Sequence, residues 1–325
     1  MRTIKVAYKD WWEGFRPEEY IYNEILSKHY NLEISEDPDY IFCSLYSFDC
    51  LKYDAVRIFT TGDNYTPDFN IYDYALAFDY ISFGDRYIRV PNWIMNPRYK
   101  NDVELMLHKS ENVSDSDYDD RKFCSWVCSN GNGDEIRQRL FKYISGYKQV
   151  DSGGRFMNNI GQPSGVEDKL DFQKKYRFSL AIQDSEAPGY LDEKLIQSFS
   201  SRTVPIFWGD NTVSDFFNPK SMINVHDYCS DKELLEDIIN IDSDKKRYLD
   251  KLSCPAMKDT EYVKKTYENL ESFLINIIEK PLSEAKRRPH SVWHNQREKI
   301  FLQSSTKKAE KKLSIMDFIR ERAKK

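Results

Sequence analysis

The sequence predicts an α/β protein made of two domains, each with a parallel sheet flanked by helices. Short apolar runs alternate with amphipathic segments from the first residues onward, a polar stretch interrupts this alternation, and a second alternating series follows. The chain of 325 residues is long enough for about two domains. Two such domains predict a cleft between their sheets, with ligands at the carboxyl ends of the strands.

Composition supports folded cores and argues against some function classes. Hydrophobic residues make up 40% of the chain and aromatic residues 14%, which is enough to bury real cores. The net charge of -5 argues against a general nucleic-acid binder, because phosphate neutralisation needs a basic face. A local basic patch for a small phosphorylated ligand remains compatible with that charge.

The cysteines and the apolar runs predict a cytoplasmic location with reduced thiols. The chain has 6 cysteines, and its first residues read as a strand rather than as a secretory leader. Cys124 and Cys128 lie in an apolar run without a second pair at zinc-site spacing, so buried strand thiols are favoured over a metal site. No apolar run reaches the about 18 residues that a membrane span requires.

The first series reads as strands around one helix. Helical spacing is found at 18–30, and the apolar runs that predict strands are 4–8, 31–35, 39–46, 55–61, 72–81 and 86–93. Between the runs 55–61 and 72–81, residues 62–70 are predicted to form a polar loop because of their Gly, Asn and Pro content.

The second series follows a Ser- and Asp-rich break at 109–121, which is the best linker candidate. Predicted strands and helices then alternate through 122–130, 134–145, 148–154, 171–185, 187–210, 221–228 and 231–241, and residues from 259 on read as helical. The predicted organisation is a first domain over 1–115, a second over 116–270, and C-terminal helices over 271–325.

One stretch of the second series, "APGYLDEKLIQSFSSRTVPIFWGD" at 187–210, carries unusual charges. Asp192 is a plausible N-cap for a helix through Phe199. Lys194 in the first turn opposes the helix dipole, which makes sense if it meets a phosphate. Glu193 would suit ribose hydroxyls. The alternative is an ordinary helix start with two solvated charges.

The segment 176–210 resembles the donor-binding motif of the α1,3-fucosyltransferases, glycosyltransferase family 10. That motif runs approximately F-x-L-x-F-E-N-S, then Y-x-T-E-K, a helix, and P-I-x-W-G. Further segments resemble the family in the same order, so that the resemblance covers roughly 55–230: they are 61–80, 123–130, 148–161 and 217–228.

This resemblance implies a GT-B fold of two Rossmann-like domains facing a cleft. The C-terminal domain would bind GDP-fucose, the N-terminal domain the acceptor sugar, and transfer would be inverting without a required metal or other cofactor. Arg137 matches the phosphate-binding arginine of the family, with Arg139 as its rival. Lys194 would meet the diphosphate, while Glu193 and Tyr190 would hold ribose or nucleoside. Core packing is the alternative role of Tyr190.

The resemblance also implies a general base, which inverting transfer needs to take the proton of the acceptor hydroxyl. The family's candidate is the Glu of T-G-E-N, and Asp63 stands at that position. The alternative for Asp63 is a turn-capping role. Asp68 and Asp73 are weaker candidates for the base.

The donor loop departs from the family pattern. "IQDS" at 182–185 stands where the family usually has F-E-N-S, so Gln183 and Asp184 exchange the acid and amide positions beside Ser185. Asp184 and Ser185 are expected to bind the donor. The departure leaves three readings: fucose transfer to O3 of an N-acetylglucosamine-type residue in a surface glycan, transfer of a related GDP-6-deoxy sugar or other nucleotide sugar, and a glycan-binding relative without catalysis.

Residues 306–325 form a basic segment with an apolar stripe, which predicts peripheral contact with the inner face of a membrane. A solvated tail is the alternative. The expected partners are therefore a GDP-sugar donor, an oligosaccharide or lipid-linked glycan acceptor and this membrane surface, without nucleic acid.

Overall fold

The computed structural model describes residues 1–304, which divide into two compact units. The first unit comprises Met1–Ala77, Ile81–Val90 and the residues from Thr266 on, and the second comprises Phe78–Tyr80 and Pro91–Lys265. Both are built on parallel sheets, so the predicted α/β class is confirmed.

The first unit contains a sheet that has six strands within residues 1–304, in the order β2-β1-β3-β4-β5-β6, with every neighbouring pair parallel. The strands are β1 (Arg2–Lys9), β2 (Tyr30–Ile34), β3 (Tyr40–Cys43), β4 (Val56–Thr60), β5 (Tyr74–Ala77) and β6 (Tyr87–Arg89). Helix α1 (Ile21–His29) connects β1 to β2.

The central strands of this sheet are buried along their whole length, as expected where helices or loops cover both faces. All residues of β3, β4 and β5 are buried, and their sequences are nearly continuous apolar runs. Arg57 is the charged exception in β4. Its guanidinium donates to the Ile71 carbonyl at 3.3 Å and contacts Glu298 at 2.5 Å, so its charge is compensated inside the unit.

The second unit contains a sheet with five strands in the described chain, in the order β11-β10-β9-β7-β8, again entirely parallel. The strands are β7 (Lys122–Trp126), β8 (Val150–Ser152), β9 (Tyr176–Ile182), β10 (Val204–Trp208) and β11 (Ile223–Asn224). The helices within its range are α2 (Asn92–Met95), α3 (Lys100–Leu107), α4 (Ser116–Asp119), α5 (Ile136–Ser145), α6 (Lys169–Gln173), α7 (Glu193–Ser200), α8 (Asp231–Asp242) and α9 (Lys245–Leu252).

The last described helices are α10 (Tyr262–Ile278) and α11 (Leu282–Ala285), and residues 292–304 are also helical. The residues after α11 complete the core of the first unit. Asp73 is fully buried, and its carboxylate accepts hydrogen bonds from the backbone N–H groups of Arg57 at 2.8 Å, Arg287 at 2.6 Å and Arg288 at 2.8 Å. The residues predicted as a separate C-terminal segment, 271–325, therefore group with the first unit as far as they are described.

The Ser- and Asp-rich break at 109–121 lies inside the second unit, whereas the predicted domain boundary stood at 115/116. Its polar residues have partners far along the chain. Asp117 is 6% exposed and forms ion pairs with Arg121 and, at 3.1 Å, with Arg202. Polar composition predicts solvent exposure only when such long-range partners are absent.

Within residues 1–304, no helix combines the length and the apolar character that crossing a bilayer requires. The predicted membrane contact of residues 306–325 lies outside the described residues.

Candidate functional site

A pocket of about 400 Å³ opens in the second unit where β7 and β9 end and α7 begins. The carboxyl ends of parallel strands are the usual place for ligands in such sheets. Its lining residues are Tyr99, Val127, Cys128, Ser129, Asn130, Arg137, Lys169, Asp184, Glu193, Lys194 and Gln197. Four of the six predicted donor-binding residues are thus brought together: Arg137, Asp184, Glu193 and Lys194.

Gln183 fixes the start of α7 against the end of β9. This side chain is fully buried, and with its amide oriented to suit both neighbours it donates to the Tyr190 carbonyl and accepts from the Asp192 N–H, each at 2.8 Å. Gly209 makes room for it, because a Cβ at that position would lie 2.2 Å from the end of the Gln183 amide. Gly209 also has a φ of +149°, a conformation that favours glycine. The family departure at Gln183 is therefore a structural position rather than a pocket-lining one.

The Trp-Gly-Asp ending of the same stretch holds the turn before α7. Asp210 is buried, and its Oδ1 accepts from the Gly189 N–H at 2.8 Å and from the Thr212 N–H at 2.8 Å. Gly189 has a φ of +81°, which the turn requires. The buried pair Gln183 and Asp210 thus anchors both ends of the segment that leads into α7.

The first turn of α7 carries the charged side chains that the sequence singled out. Asp192 is the N-cap, as predicted, and accepts from the Lys194 N–H at 2.9 Å, while the Lys194 ammonium forms an ion pair with the same carboxylate. Burial lowers the pKa of Lys194, but the carboxylates of Asp192 and Glu193 outweigh it, so this pKa is raised and the ammonium stays charged. The Asp192 carboxylate at the N-cap thus offsets the unfavourable position of Lys194 relative to the helix dipole.

Glu193 and Lys169 form a second charged pair in the lining, with 3.9 Å between Nζ and Oε1. Burial raises the pKa of Glu193, but attraction by Lys194 and Lys169 outweighs it and lowers the pKa, so the carboxylate is ionised. The pKa of Lys169 is lowered by burial. Sequence reasoning missed Lys169, because no motif marks it; Gln197, one turn after Glu193, could have been found from helical spacing.

Arg137 and its rival Arg139 occupy different environments. Arg137 is 2% exposed, and its guanidinium donates to the carbonyls of Asn132 and Asn130, each at 2.7 Å, and to Cys128 Sγ. Within residues 1–304 its Nε has no hydrogen-bond partner. Arg139 points away from the pocket lining and pairs with Asp231 at 3.1 Å, with 58% of its side chain exposed. Of the two arginines, Arg137 is the one that a ligand in the pocket would meet.

Asp184 lies in the lining, whereas Tyr190 and Ser185 do not belong to it. The Tyr190 hydroxyl and the Ser185 hydroxyl each donate to Asp184 Oδ1 at 3.3 Å. The Tyr190 side chain is 4% exposed, and its ring lies edge-to-face with Phe78 at 5.2 Å between centroids. Tyr190 therefore packs in the core, which was the alternative role expected for it. Its hydroxyl also orients Asp184.

Asp63 lies in the first unit, three residues after Thr60, the last residue of β4. Its carboxylate accepts a 2.8 Å hydrogen bond from the Tyr46 hydroxyl, and its N–H donates to Thr61 Oγ1 at 3.1 Å. The two rival carboxylates are committed elsewhere. Asp68 caps its own turn, accepting from the Asn70 N–H at 3.0 Å, and Asp73 is fully buried.

A larger cavity of about 730 Å³ lies elsewhere in the second unit, between Lys122, Asp151, Tyr176 and the loop before α6, and holds none of the predicted site residues. Cys124 and Cys128 are buried free thiols. Within residues 1–304, one group of three side chains brings possible metal-ligand atoms close together. It consists of Asp10, Cys43 and Cys50 in the first unit.

Comparison with known sequences extends the resemblance over both units. The family model "Alpha-(1,3)-fucosyltransferase FucT N-terminal domain" matches residues 6–96, and "Glycosyltransferase family 10 (fucosyltransferase) C-term" matches residues 119–274. The chain is 31% identical over 313 residues to Alpha-(1,3)-fucosyltransferase FucT of Helicobacter pylori, covering 82% of this chain and 63% of that protein.

A more distant relative is 3-galactosyl-N-acetylglucosaminide 4-alpha-L-fucosyltransferase of Bos taurus, 32% identical over 168 residues, covering 51% of this chain and 43% of that protein. The chain thus spans less than two thirds of the length of these curated relatives.

Two solved structures are similar over most of this chain. A crystal structure of an α1,3-fucosyltransferase matches with a TM-score of 0.73 and 25% identity, covering 89% of this chain and 93% of that one. A crystal structure of α1,3-fucosyltransferase with GDP-fucose matches with a TM-score of 0.68 and 26% identity, covering 84% and 90%. This likeness confirms the expected GT-B type of fold.

Proposed function

Because the chain belongs to glycosyltransferase family 10, the fucosyltransferases, we propose that it is an inverting transferase that moves L-fucose from GDP-fucose to a hydroxyl of a glycan. The proposed acceptor position is O3 of an N-acetylglucosamine-type residue. The activities for which its relatives are named support both the sugar and the acceptor class, and the crystal structure with GDP-fucose supports the donor.

The observation that carries the proposal is the charge of the pocket in the second unit. Three basic side chains line it, Arg137, Lys169 and Lys194, against two carboxylates, Asp184 and Glu193. Loss of a nucleoside diphosphate develops negative charge on the leaving group, which fixed cations in a partly dry pocket stabilise. Arg137 can present a planar guanidinium to a phosphate, and Lys194 a point charge.

The remaining polar groups have roles that fit a nucleoside. Glu193 would accept hydrogen bonds from ribose hydroxyls, since it is ionised and lies beside the cations. Asp184, oriented by Tyr190 and Ser185, would face the donor from the end of β9. This assignment needs no metal, because the side-chain cations supply the charge that a divalent ion would otherwise provide.

Asp63 is the proposed general base. An inverting displacement takes the proton from the acceptor hydroxyl as the new bond to the anomeric carbon forms and the GDP oxygen leaves. A carboxylate held by a neighbouring hydroxyl at a strand end suits that task better than the buried Asp73 or the turn-capping Asp68.

A donor other than GDP-fucose is a second candidate, favoured by the negative charge of Asp184 at a position where the family usually has Asn. A thermal-shift screen of GDP-fucose, GDP-mannose and UDP-sugars distinguishes them, since the true donor stabilises the folded state most. A glycan binder without catalysis would bind no GDP-sugar.

The decisive experiment incubates the protein with GDP-fucose and N-acetyllactosamine-type acceptors, with and without EDTA. We expect release of GDP and formation of a fucosylated product in both samples. No turnover of GDP-fucose with any acceptor would refute the enzyme, and turnover abolished by EDTA would refute metal-free chemistry.

A further inference from the structure

The first unit carries two partly exposed aromatic rings beside the proposed base. Trp12 follows β1 and is 37% exposed, and Tyr46 follows β3 and is 43% exposed. Their ring centroids lie 5.8 Å apart at an interplanar angle of 71°, an edge-to-face pair. We call Trp12 and Tyr46 the aromatic platform.

The platform and the base sit at the ends of neighbouring strands. In the sheet order, β1, β3 and β4 are adjacent, and Trp12, Tyr46 and Asp63 follow these three strands in turn. The Tyr46 hydroxyl donates to Asp63 Oδ2 at 2.8 Å. One side chain therefore belongs both to the platform and to the hydrogen bonding of the base.

Asp10 holds the two loops of the platform together. Its carbonyl accepts from the Tyr46 N–H at 2.9 Å, and its Oδ1 accepts from the Ser47 hydroxyl and the Asp49 N–H, each at 2.6 Å. Asp10 adopts a φ of +68°, which is uncommon outside glycine and is found where the surroundings enforce it. A buried residue with strained backbone thus fixes Tyr46 relative to the residues that follow β1.

The rings behind Trp12 make its position rigid as well. Phe15 lies edge-to-face with Trp12 at 5.4 Å and stacks on Trp11 at 3.8 Å, and the Trp11 indole N–H donates to the Phe42 carbonyl at 2.9 Å. An exposed indole on a rigid aromatic base loses little entropy when it binds a ligand. Exposed aromatic surface of this kind marks a binding site more often than a scattered apolar residue does.

We propose that the aromatic platform binds the acceptor saccharide by stacking on the apolar face of a pyranose ring, and that Tyr46 positions the Asp63 carboxylate toward the acceptor hydroxyl. This inference rests on the proposed transferase function. A pyranose presents C–H groups on one face and hydroxyls at its edge, so a ring stacked here places hydroxyls near the carboxylate. The neutral phenol can serve as donor at physiological pH, because burial and the neighbouring Asp63 raise the pKa of Tyr46 to about 12.

Steady-state kinetics with N-acetyllactosamine at saturating GDP-fucose separate the two roles. We expect Trp12→Ala to raise the acceptor KM roughly tenfold, and Trp12→Phe, which keeps a ring, to recover most of this loss. Tyr46→Phe keeps the ring and removes the hydroxyl, so kcat should fall roughly tenfold with little change in the acceptor KM. Matched controls are Trp293→Ala and Tyr143→Phe, which alter exposed rings outside the platform.

A binding measurement complements the kinetics without requiring turnover. N-acetyllactosamine should change the tryptophan fluorescence of the wild-type protein and of Trp293→Ala, and should leave that of Trp12→Phe almost unchanged. Calorimetric GDP affinity, a property of the second unit, should be the same in all variants.

The outcomes separate this inference from the proposed function. If the wild-type protein transfers fucose and both Trp12→Ala and Tyr46→Phe keep its kcat and acceptor KM, the platform is refuted while the transferase stands. If Tyr46→Phe raises only the acceptor KM, the positioning role is refuted. If the wild-type protein transfers nothing, the proposed function has failed, and unchanged fluorescence with the glycan then refutes the platform as well.

Discussion

At the scale of single residues, the charge of Asp184 is the most consequential departure from the family pattern. This carboxylate lines a pocket whose other charges suit an anion, and it contributes to keeping the Lys194 pKa raised. A negative charge there weakens the attraction for a diphosphate. Tyr190 and Ser185, which donate to it, would serve an amide oxygen equally well.

We therefore expect Asp184→Asn to tighten GDP binding, by roughly threefold to tenfold at low salt and less at high salt. Isothermal titration calorimetry at two salt concentrations measures this change. Asp171→Asn, which removes a carboxylate that is 68% exposed on α6, is the matched control and should change nothing. Weaker binding in Asp184→Asn would mean that attraction between this carboxylate and the donor outweighs its repulsion of the diphosphate.

The phosphate-binding assignment makes a prediction for Arg137 and Lys194. Each should lose a charge-assisted hydrogen bond to the diphosphate when replaced by Ala, weakening GDP affinity by roughly tenfold to a hundredfold. Arg139→Ala is the matched control, because that guanidinium pairs with Asp231 on the surface. Unchanged GDP affinity in both pocket variants, measured calorimetrically, would contradict the assignment.

The general-base assignment separates binding from chemistry. Asp63→Asn keeps the size of the side chain and an acceptor for the Tyr46 hydroxyl but removes the base, so kcat should fall by roughly a hundredfold or more. GDP affinity should stay at the wild-type value, since Asp63 belongs to the first unit. Asp68→Asn is the comparison variant, and a wild-type rate in Asp63→Asn would exclude Asp63 as the base.

At the scale of helices and strands, the sequence predicted the elements that depend on neighbouring residues, such as apolar runs and helix caps. The apolar runs at 55–61 and 39–46 became the buried strands β4 and β3, and the N-cap Asp192 began α7 as its side chain predicts. The run at 221–228 shortened to Ile223–Asn224, because the Asn224 side chain accepts from the His226 N–H at 3.4 Å and closes a turn instead. Alternation of apolar residues cannot reveal such a competing side-chain bond.

In the candidate site too, local features could be predicted from the sequence, whereas contacts between distant residues could not. The charged start of α7 was visible in the sequence, because a lysine against the helix dipole is locally unfavourable. Lys169 was not, because it reaches Glu193 only through the fold that brings α6 beside α7. The burial of Lys109, two residues after α3, could not be predicted from the sequence either, because it depends on contacts with α7 and α9.

Lys109 provides a prediction about how these helices pack. It is 1% exposed, its ammonium donates to the Leu252 carbonyl at 2.9 Å and lies 5.2 Å from the centre of the Phe199 ring, and burial lowers its pKa from 10.5 to about 7. Below about pH 7 the folded state must bury the charge. Between the two pKa values the unfolded state binds more protons, so stability rises with pH.

Lys109→Met should remove this cost. We expect the free energy of unfolding to increase by about 2 kcal/mol at pH 6, and this advantage to shrink by pH 9. Urea denaturation at the two pH values measures the difference. Lys246→Met, an 83% exposed lysine on α9, is the control. A pH-independent difference between Lys109→Met and wild type would show that Lys109 does not titrate in this range.

At the scale of the whole molecule, the basic segment 306–325 adds a membrane hypothesis to the two units. Its lysines and arginines alternate with apolar residues, a pattern that binds anionic lipid surfaces. Deleting 306–325 should reduce cosedimentation with vesicles containing phosphatidylglycerol several-fold, and leave binding to neutral phosphatidylcholine vesicles unchanged. Equal binding of both forms to anionic vesicles would favour a solvated tail. GDP affinity is the internal control for folding.

The closure of the first unit by residues beyond Thr266 has a consequence for how the protein is made. On the ribosome, the strands of the first unit emerge first, yet the Asp73 carboxylate waits for the backbone of Arg287 and Arg288. The second unit lies mostly in one continuous stretch, Pro91–Lys265, and can fold as soon as that stretch leaves the exit tunnel. The nascent chain can therefore complete the second unit before the first, whose Asp73 carboxylate lacks two of its backbone donors until Arg287 and Arg288 have been synthesised.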